Sequence, residues 1–113
     1  MKKLLALTAL VSLTSFAAAQ KNITLVWSGA VTGPTSDAGS SYGKGVEDYC
    51  KYANAQKMIP GVTLKCVIRD DQYNNANTQR NFEEFVGNEQ VPVFLGYATG
   101  GMLQIKGTVQ ETK

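Results

Sequence analysis

Apolar and polar positions change period along this chain, and the changes mark an apolar leader followed by six elements. Ile23-Thr24-Leu25-Val26-Trp27 is a short apolar block, and Ile23 to Ser28 is predicted as a first strand. A loop punctuated by Gly29, Gly33-Pro34, Gly39, Gly43 and Gly45 leads into helical spacing. Tyr42, Val46, Tyr49, Cys50 and Ala53 recur at i, i+4, i+7, i+8 and i+11, which predicts a helix from about Ser41 to Gln56. Pro60-Gly61 marks a turn. Val62, Leu64, Cys66 and Ile68 then alternate along a second strand, Val62 to Arg69, which Asp70-Asp71 ends.

The second half repeats the alternation of strand and helix. Asn74 or Asn75 is placed to cap a second helix that carries Phe82, Phe85 and Val86 on one side. Gly87-Asn88 weakens its end. Val91 to Leu95 is a continuous apolar run, as expected of a strand covered on both faces, with Pro92 near its start. Gly96 to Gly101 reads as a second flexible loop, and a last helix begins near Met102 with Ile105 and Val109 inward.

The order β-α-β-α-β-α with right-handed crossovers gives an α/β fold, a three-layer doubly wound parallel sheet. With strand order 2-1-3, the first two helices lie on opposite faces, and a crevice opens beyond the carboxyl ends of strands one and three. The loops there are Gly29–Ser40 and Gly96–Gly101, the two glycine-rich segments.

The leader changes the picture of where this domain works. Lys2 and Lys3 precede Leu4–Ala19, which is almost wholly apolar or small, and Ala17-Ala18-Ala19 supplies a small-x-small cleavage site before Gln20. Residues 1–19 therefore read as a secretory signal peptide, too short to span a membrane, with residues 20–113 exported as a soluble protein. No cysteine follows the apolar run to carry a lipid anchor.

Without Lys2 and Lys3, the balance of 11 basic and 9 acidic residues becomes even, so charge gives no reason to expect nucleic acid as a partner. Both cysteines, Cys50 and Cys66, lie in the exported part. They are expected to pair in an oxidising compartment, the alternative being two buried thiols.

Chemistry looks poorly supplied. The chain has no histidine, so neither a Ser-His-Asp nor a Cys-His centre can form within it, and two cysteines alone cannot build a structural zinc site. No metal site and no cofactor are expected. A nicotinamide fingerprint fails because Gly29-x-x-x-Gly33-Pro34 puts a proline where pyrophosphate needs an N–H. A P-loop fails on spacing, and Gly45 stands where Ser or Thr would bind magnesium. Asp70-Asp71 and Glu83-Glu84 are read as solvated surface charge, since neighbouring residues diverge on a strand or helix. Trp27 reads as core, whereas Tyr97 opens the second loop at the crevice.

Taken in order, the leader, the first strand, Gly33-Pro34, Gly39, Gly45, Asp70-Asp71, the Asn-rich entry to helix two and Gly96–Gly101 resemble one family. It is the periplasmic leucine/isoleucine/valine-binding proteins, the substrate-binding components of branched-chain amino acid ABC importers. The resemblance covers residues 20–113 as a partial N-terminal lobe, the incomplete first lobe of a two-lobed periplasmic-binding-protein fold. It implies a hinged periplasmic receptor, not an enzyme, that passes an amino acid or similar carboxylate to an ABC permease in the inner membrane.

In such proteins the loop after strand three binds the ligand carboxylate, which makes Thr99 and Gly100 the leading site candidates. Tyr97 and Ala98 stand beside them, and Ser36 and Asp37 are placed on the rim. Gly100-Gly101 stands where the family often has serines, and no aromatic stands near Ala38, so the ligand could also be another amino acid, an amide or an aromatic acid. The chain is expected to be a truncated product or an incompletely recorded sequence. Two further classes stay open, a small exported α/β enzyme and the ligand-sensing lobe of a receptor or regulator.

Overall fold

The structure is a computed structural model that describes residues 19–88 and 90–112. The signal peptide expected at residues 1–19 lies outside the described residues except for Ala19. Three strands, β1 (Lys21–Gly29), β2 (Val62–Asp70) and β3 (Val93–Gly96), alternate with three helices, α1 (Ser36–Ala55), α2 (Asn75–Glu83) and α3 (Thr99–Glu111). The sheet is parallel with order β2-β1-β3, the order on which the crevice between strands one and three depends.

Register shows which face each residue serves. Leu25 pairs with Cys66 and Trp27 with Ile68, so these four side chains share the face that α1 covers. A Cβ added to Gly43 of α1 would lie 2.9 Å from the Trp27 ring and 3.4 Å from Ile68, which is why the helix needs glycine there. The Cys50–Cys66 disulfide, with Cα atoms 6.1 Å apart, ties α1 to β2 on this side.

Val26 and Ser28 point the other way, toward α2 and α3. Val26 pairs with Phe94, and Phe94 meets Phe82 of α2 edge-on with centroids 5.2 Å apart. Ile105 of α3 is fully buried. Asn74 caps α2 by accepting from the N–H groups of Ala76 and Asn77.

Two helix starts differ from expectation, for one reason. Helix α1 begins at Ser36 rather than Ser41, and α3 at Thr99 rather than Met102. The glycines that read as loop signals are contact residues inside helices. A Cβ on Gly39 would lie 2.1 Å from the Ala30 carbonyl oxygen, and one on Gly101 would lie 2.5 Å from Thr78 Oγ1. Because these glycines count as core, the inner face of α1 runs through Gly39, Gly43, Cys50 and Ala53, while Tyr42 and Tyr49 are exposed.

Helix α2 is also short. Phe85 and Val86 follow it in turns, and Gly87 turns the chain at φ 79°. Strand β3 begins after Pro92, and Val93 is exposed, so this strand is less covered than its apolar run implied.

Candidate functional site

The carboxyl ends of the three strands converge on a short stretch of connecting chain. After β1, Ala30–Thr35 leads to α1; after β2, Asp71–Asn74 leads to α2; after β3, Tyr97 and Ala98 lead to α3. Every residue proposed from sequence falls at this end. Thr99 and Gly100 form the first turn of α3 rather than a loop, with buried Ala98 as N-cap. Alanine has no side chain to bond the helix's first N–H groups, and no capping hydrogen bond is made. The Ala98 carbonyl accepts from Met102, and no capping side chain takes the first-turn donors at the positive end of the helix dipole.

Ser36 and Asp37 open α1 on a different connection. Ser36 is half-buried, and its N–H donates to Gly33 O at 3.2 Å. Asp37 is exposed. Tyr97 is half-buried and anchored by donation of its N–H to Ser28 O at 3.0 Å.

Asp70 and Asp71 are not solvated surface charge, a correction to the sequence reading. Asp70 ends β2 and Asp71 begins the connection to α2, where backbone N–H groups of the adjacent loops need acceptors. Asp70 accepts from the N–H groups of Val31 (3.0 Å), Thr32 (3.1 Å) and Gln72 (3.0 Å), and from the Thr32 hydroxyl. It thereby staples the β1–α1 loop to the β2–α2 loop. Partial desolvation pushes its carboxyl up, but the Thr32 hydroxyl and the three N–H donors outweigh that and hold it below the ordinary value.

Asp71 is fully buried and accepts from Ser28 Oγ (3.1 Å), Thr78 Oγ1 (2.9 Å) and the Tyr73 N–H (2.9 Å). Asn81 completes the network by donating to Ser28 Oγ at 3.0 Å. Each aspartate thus takes the N–H two residues ahead, and Gln72 and Tyr73 are held left-handed at φ 54° and 58°.

That backbone delivers Tyr73 to an aromatic cluster that sequence reasoning missed. Tyr97 meets Trp27 at 5.9 Å, Tyr42 at 6.1 Å and Tyr73 at 6.3 Å between centroids, and Tyr42 stacks on Trp27 at 5.6 Å. Trp27 is core, as expected. Its Nε1–H is the one buried side-chain donor or acceptor without a partner among the described residues. Spacing alone could not have joined four residues from four different elements or loops.

Two concavities among the described residues lie elsewhere. A groove of about 430 Å³ runs between α2, α3 and β3, lined mainly by apolar groups such as Phe82, Val91, Phe94 and Ile105. Another, of about 600 Å³, lies at the amino end of β2 near Pro60 and Val62. Neither contains a candidate site residue. The first offers no charged group and so nothing to hold a charged amino acid.

The sequence model of the periplasmic binding protein family matches residues 22–113. The chain belongs to that family. Among solved structures, it is 65% identical to a branched-chain amino acid ABC transporter protein from Thermus thermophilus with bound valine. That match has a TM-score of 0.76 and covers 81% of this chain and 24% of the other. An ABC transporter substrate-binding protein from Aeropyrum pernix is 27% identical at TM-score 0.71, covering 81% of this chain and 25% of its own. A possible leucine/isoleucine/valine-binding protein from Rhodopirellula baltica shares the fold at 20% identity and TM-score 0.69, over 87% of this chain and 27% of the other. No curated protein matches. This member of the family therefore spans about a quarter of the length of the solved structures it matches. The resemblance read from the sequence holds, and so does the α/β fold of a periplasmic binding protein.

Proposed function

We propose that this chain contributes part of the first lobe of an extracytoplasmic substrate-binding protein that supplies an ABC importer with an amino acid or similar small carboxylate. The observation that carries this reading is the uncapped start of α3. Ala98 leaves the first-turn N–H groups without a side-chain acceptor at the carboxyl end of the sheet. A carboxylate supplies what such a terminus lacks, a negative charge with several lone pairs. Thr99 is exposed and adds a hydroxyl, and Gly100 is half-buried, with the Asn75 side chain packed where its Cβ would stand. The 65% identity to a protein crystallised with valine favours an amino acid over other carboxylates.

In this reading residues 1–19 are a signal peptide cleaved after Ala19, the protein works in the periplasm, and its protein partner is the permease in the inner membrane. Asp70 and Asp71 each accept from three or four donors, which fits a structural role for both. The test is titration calorimetry with L-valine on the protein at its natural length. Thr99→Ala should weaken binding by roughly 1–3 kcal/mol, the effect of losing a hydrogen bond to a charged group. Unchanged affinity would remove Thr99 from the site.

A further inference from the structure

We infer that Asn54 closes the outer edge of the sheet, taking the place of a neighbouring strand at β2 so that a second copy of this chain cannot add there. The device lies in the amino-terminal half of β2, away from the crevice, and does not depend on which ligand is bound. The order β2-β1-β3 leaves one side of β2 without a strand among the described residues. Ladder parity shows which groups face that side. The Lys21 N–H donates to Gly61 O and the Asp71 N–H to Gly29 O, so the odd-numbered residues between Gly61 and Asp71 bond β1. The even-numbered ones, Val62, Leu64, Cys66, Ile68 and Asp70, turn their N–H and C=O groups outward.

A row of outward N–H and C=O groups is a template for another chain, and β2 carries few of the features that spoil it. It runs nine residues in unbroken register with β1, contains no proline, and draws Val62, Thr63, Val67 and Ile68 from the β-branched residues. Strand β3, by contrast, has four residues and follows Pro92. Guarding β2 therefore falls to a group outside the strand.

That group is the side chain of Asn54, in the last turn of α1. The Leu64 N–H donates to Asn54 Oδ1 at 2.8 Å, and Asn54 Nδ2 donates to Leu64 O at 2.7 Å. One carboxamide thus makes the two hydrogen bonds that a residue of an added antiparallel strand would make. Asn54 is half-buried, and the Cys50–Cys66 disulfide one turn earlier fastens α1 to the same strand, so the amide is held at the edge.

Toward the two ends of β2, the Val62 N–H turns to Ile59 O at 3.2 Å, and Asp70 O accepts from Asn81 Nδ2 at 3.4 Å. Cys66 and Ile68 alone keep both outward groups uncapped among the described residues, a ladder shorter than strands usually form. A second copy is the partner this edge fits. Two β2 strands match in length by identity, and pairing about a twofold axis closes after one addition.

The test uses the protein at its natural length, its molar mass followed by light scattering over about a hundredfold range of concentration. Asn54→Ala should show a mass that climbs with concentration toward about twice the parent's. Hydrogen exchange should find its Leu64 amide exposed in dilute samples and protected in concentrated ones. Asn54→Asp keeps an acceptor for the Leu64 N–H but sets a negative charge at the edge. It should loosen the tie to α1 and still keep the parent's mass. In the parent, the Leu64 amide should exchange at least about tenfold more slowly than those of Cys66 and Ile68, a reading that needs no variant. If Asn54→Ala keeps the parent's mass at every concentration, or if Asn54→Asp associates equally, Asn54 only fastens α1 and the edge reading is overturned. Exchange at Leu64 of the parent as fast as at Ile68 overturns it as well.

Discussion

Trp27 and Ser28 are neighbours on β1, both fully buried, and opposite means hold them there. On the Trp27 face the solution is shape. Two glycines give the indole room, Tyr42 stacks on it, and a disulfide fastens α1 to β2. On the Ser28 face the solution is saturation, with Ser28, Asp71, Thr78 and Asn81 hydrogen-bonded to one another and to the Tyr73 N–H. Apolar packing tolerates small errors in volume, whereas a half-satisfied polar network is worse than none. The second face is therefore the one that fixes geometry, and it lies directly under the candidate site.

The largest expected effect breaks the shape-based face. Trp27→Ala removes its largest fully buried side chain and should cost about 3–5 kcal/mol in urea denaturation of the protein at its natural length. The variant should also loosen Tyr42 and Tyr97, which rest on the indole. A loss below about 1 kcal/mol would mean that the indole is not core.

Next comes the covalent tie on the same face. Replacing Cys50 and Cys66 together by serine opens a loop with a sequence separation of 16, and the loss should be roughly 3 kcal/mol. Adding reductant to the parent should reproduce it. If reductant leaves the parent unchanged, the tie contributes nothing to the comparison.

The saturated face is tested by a change of one atom pair. Asp71→Asn keeps shape but puts an NH₂ where an oxygen now accepts, facing the Ser28 hydroxyl, the Thr78 hydroxyl or the Tyr73 N–H. The cost should be about 1–3 kcal/mol, smaller than the Trp27 truncation because Thr78 Oγ1 can turn to Asn74 O, 3.3 Å away. Ligand affinity should nevertheless fall with it, since the Tyr73 turn loses an anchor. Trp27→Phe, a smaller change in shape, should leave affinity closer to the parent. The reverse order would show that the polar face does not set the site.

How much of this was legible in the sequence follows the same division. Period-2 and period-3.6 patterns placed all three strands and all three helices, because apolar contact is what those periods encode. Strand order was open to the sequence, since right-handed crossovers allow 1-2-3 as readily as the observed 2-1-3. The starts of α1 and α3 were missed because Gly39, Gly43, Gly100 and Gly101 carry two meanings. Glycine loosens a loop, and it also lets a helix approach its neighbour closely, and only the neighbour decides. The Ser28–Asp71–Thr78–Asn81 network was invisible, since a hydrogen bond between residues 28 and 71 leaves no periodic trace. Asp71 was misread as surface charge for that reason. The aromatic cluster was hidden likewise: Tyr42 read as one of the helical-face residues of α1, and Tyr73 belongs to no periodic segment.

The smallest expected effect concerns acid, and it separates saturation by neutral donors from pairing by opposite charge. Asp70's carboxyl is held below its ordinary value of 3.8. A carboxylate with a depressed folded pKa contributes stability that is present above the unfolded pKa and lost as pH falls through the folded one. Asp70→Asn should therefore flatten part of the decline in stability below about pH 4 and change little at pH 7 beyond the lost hydrogen bonds. Asp48 and Glu84 are also lowered, by hydrogen bonds from Lys44 and Arg69, but both are exposed and their partners are charged. Salt screens such pairs, whereas the donors to Asp70 are neutral N–H and O–H groups. An acid titration in 1 M sodium chloride should retain the Asp70 contribution and shed the other two. If high salt abolishes the difference between the parent and Asp70→Asn, the staple between the two loops is electrostatic in a way the hydrogen bonds do not describe.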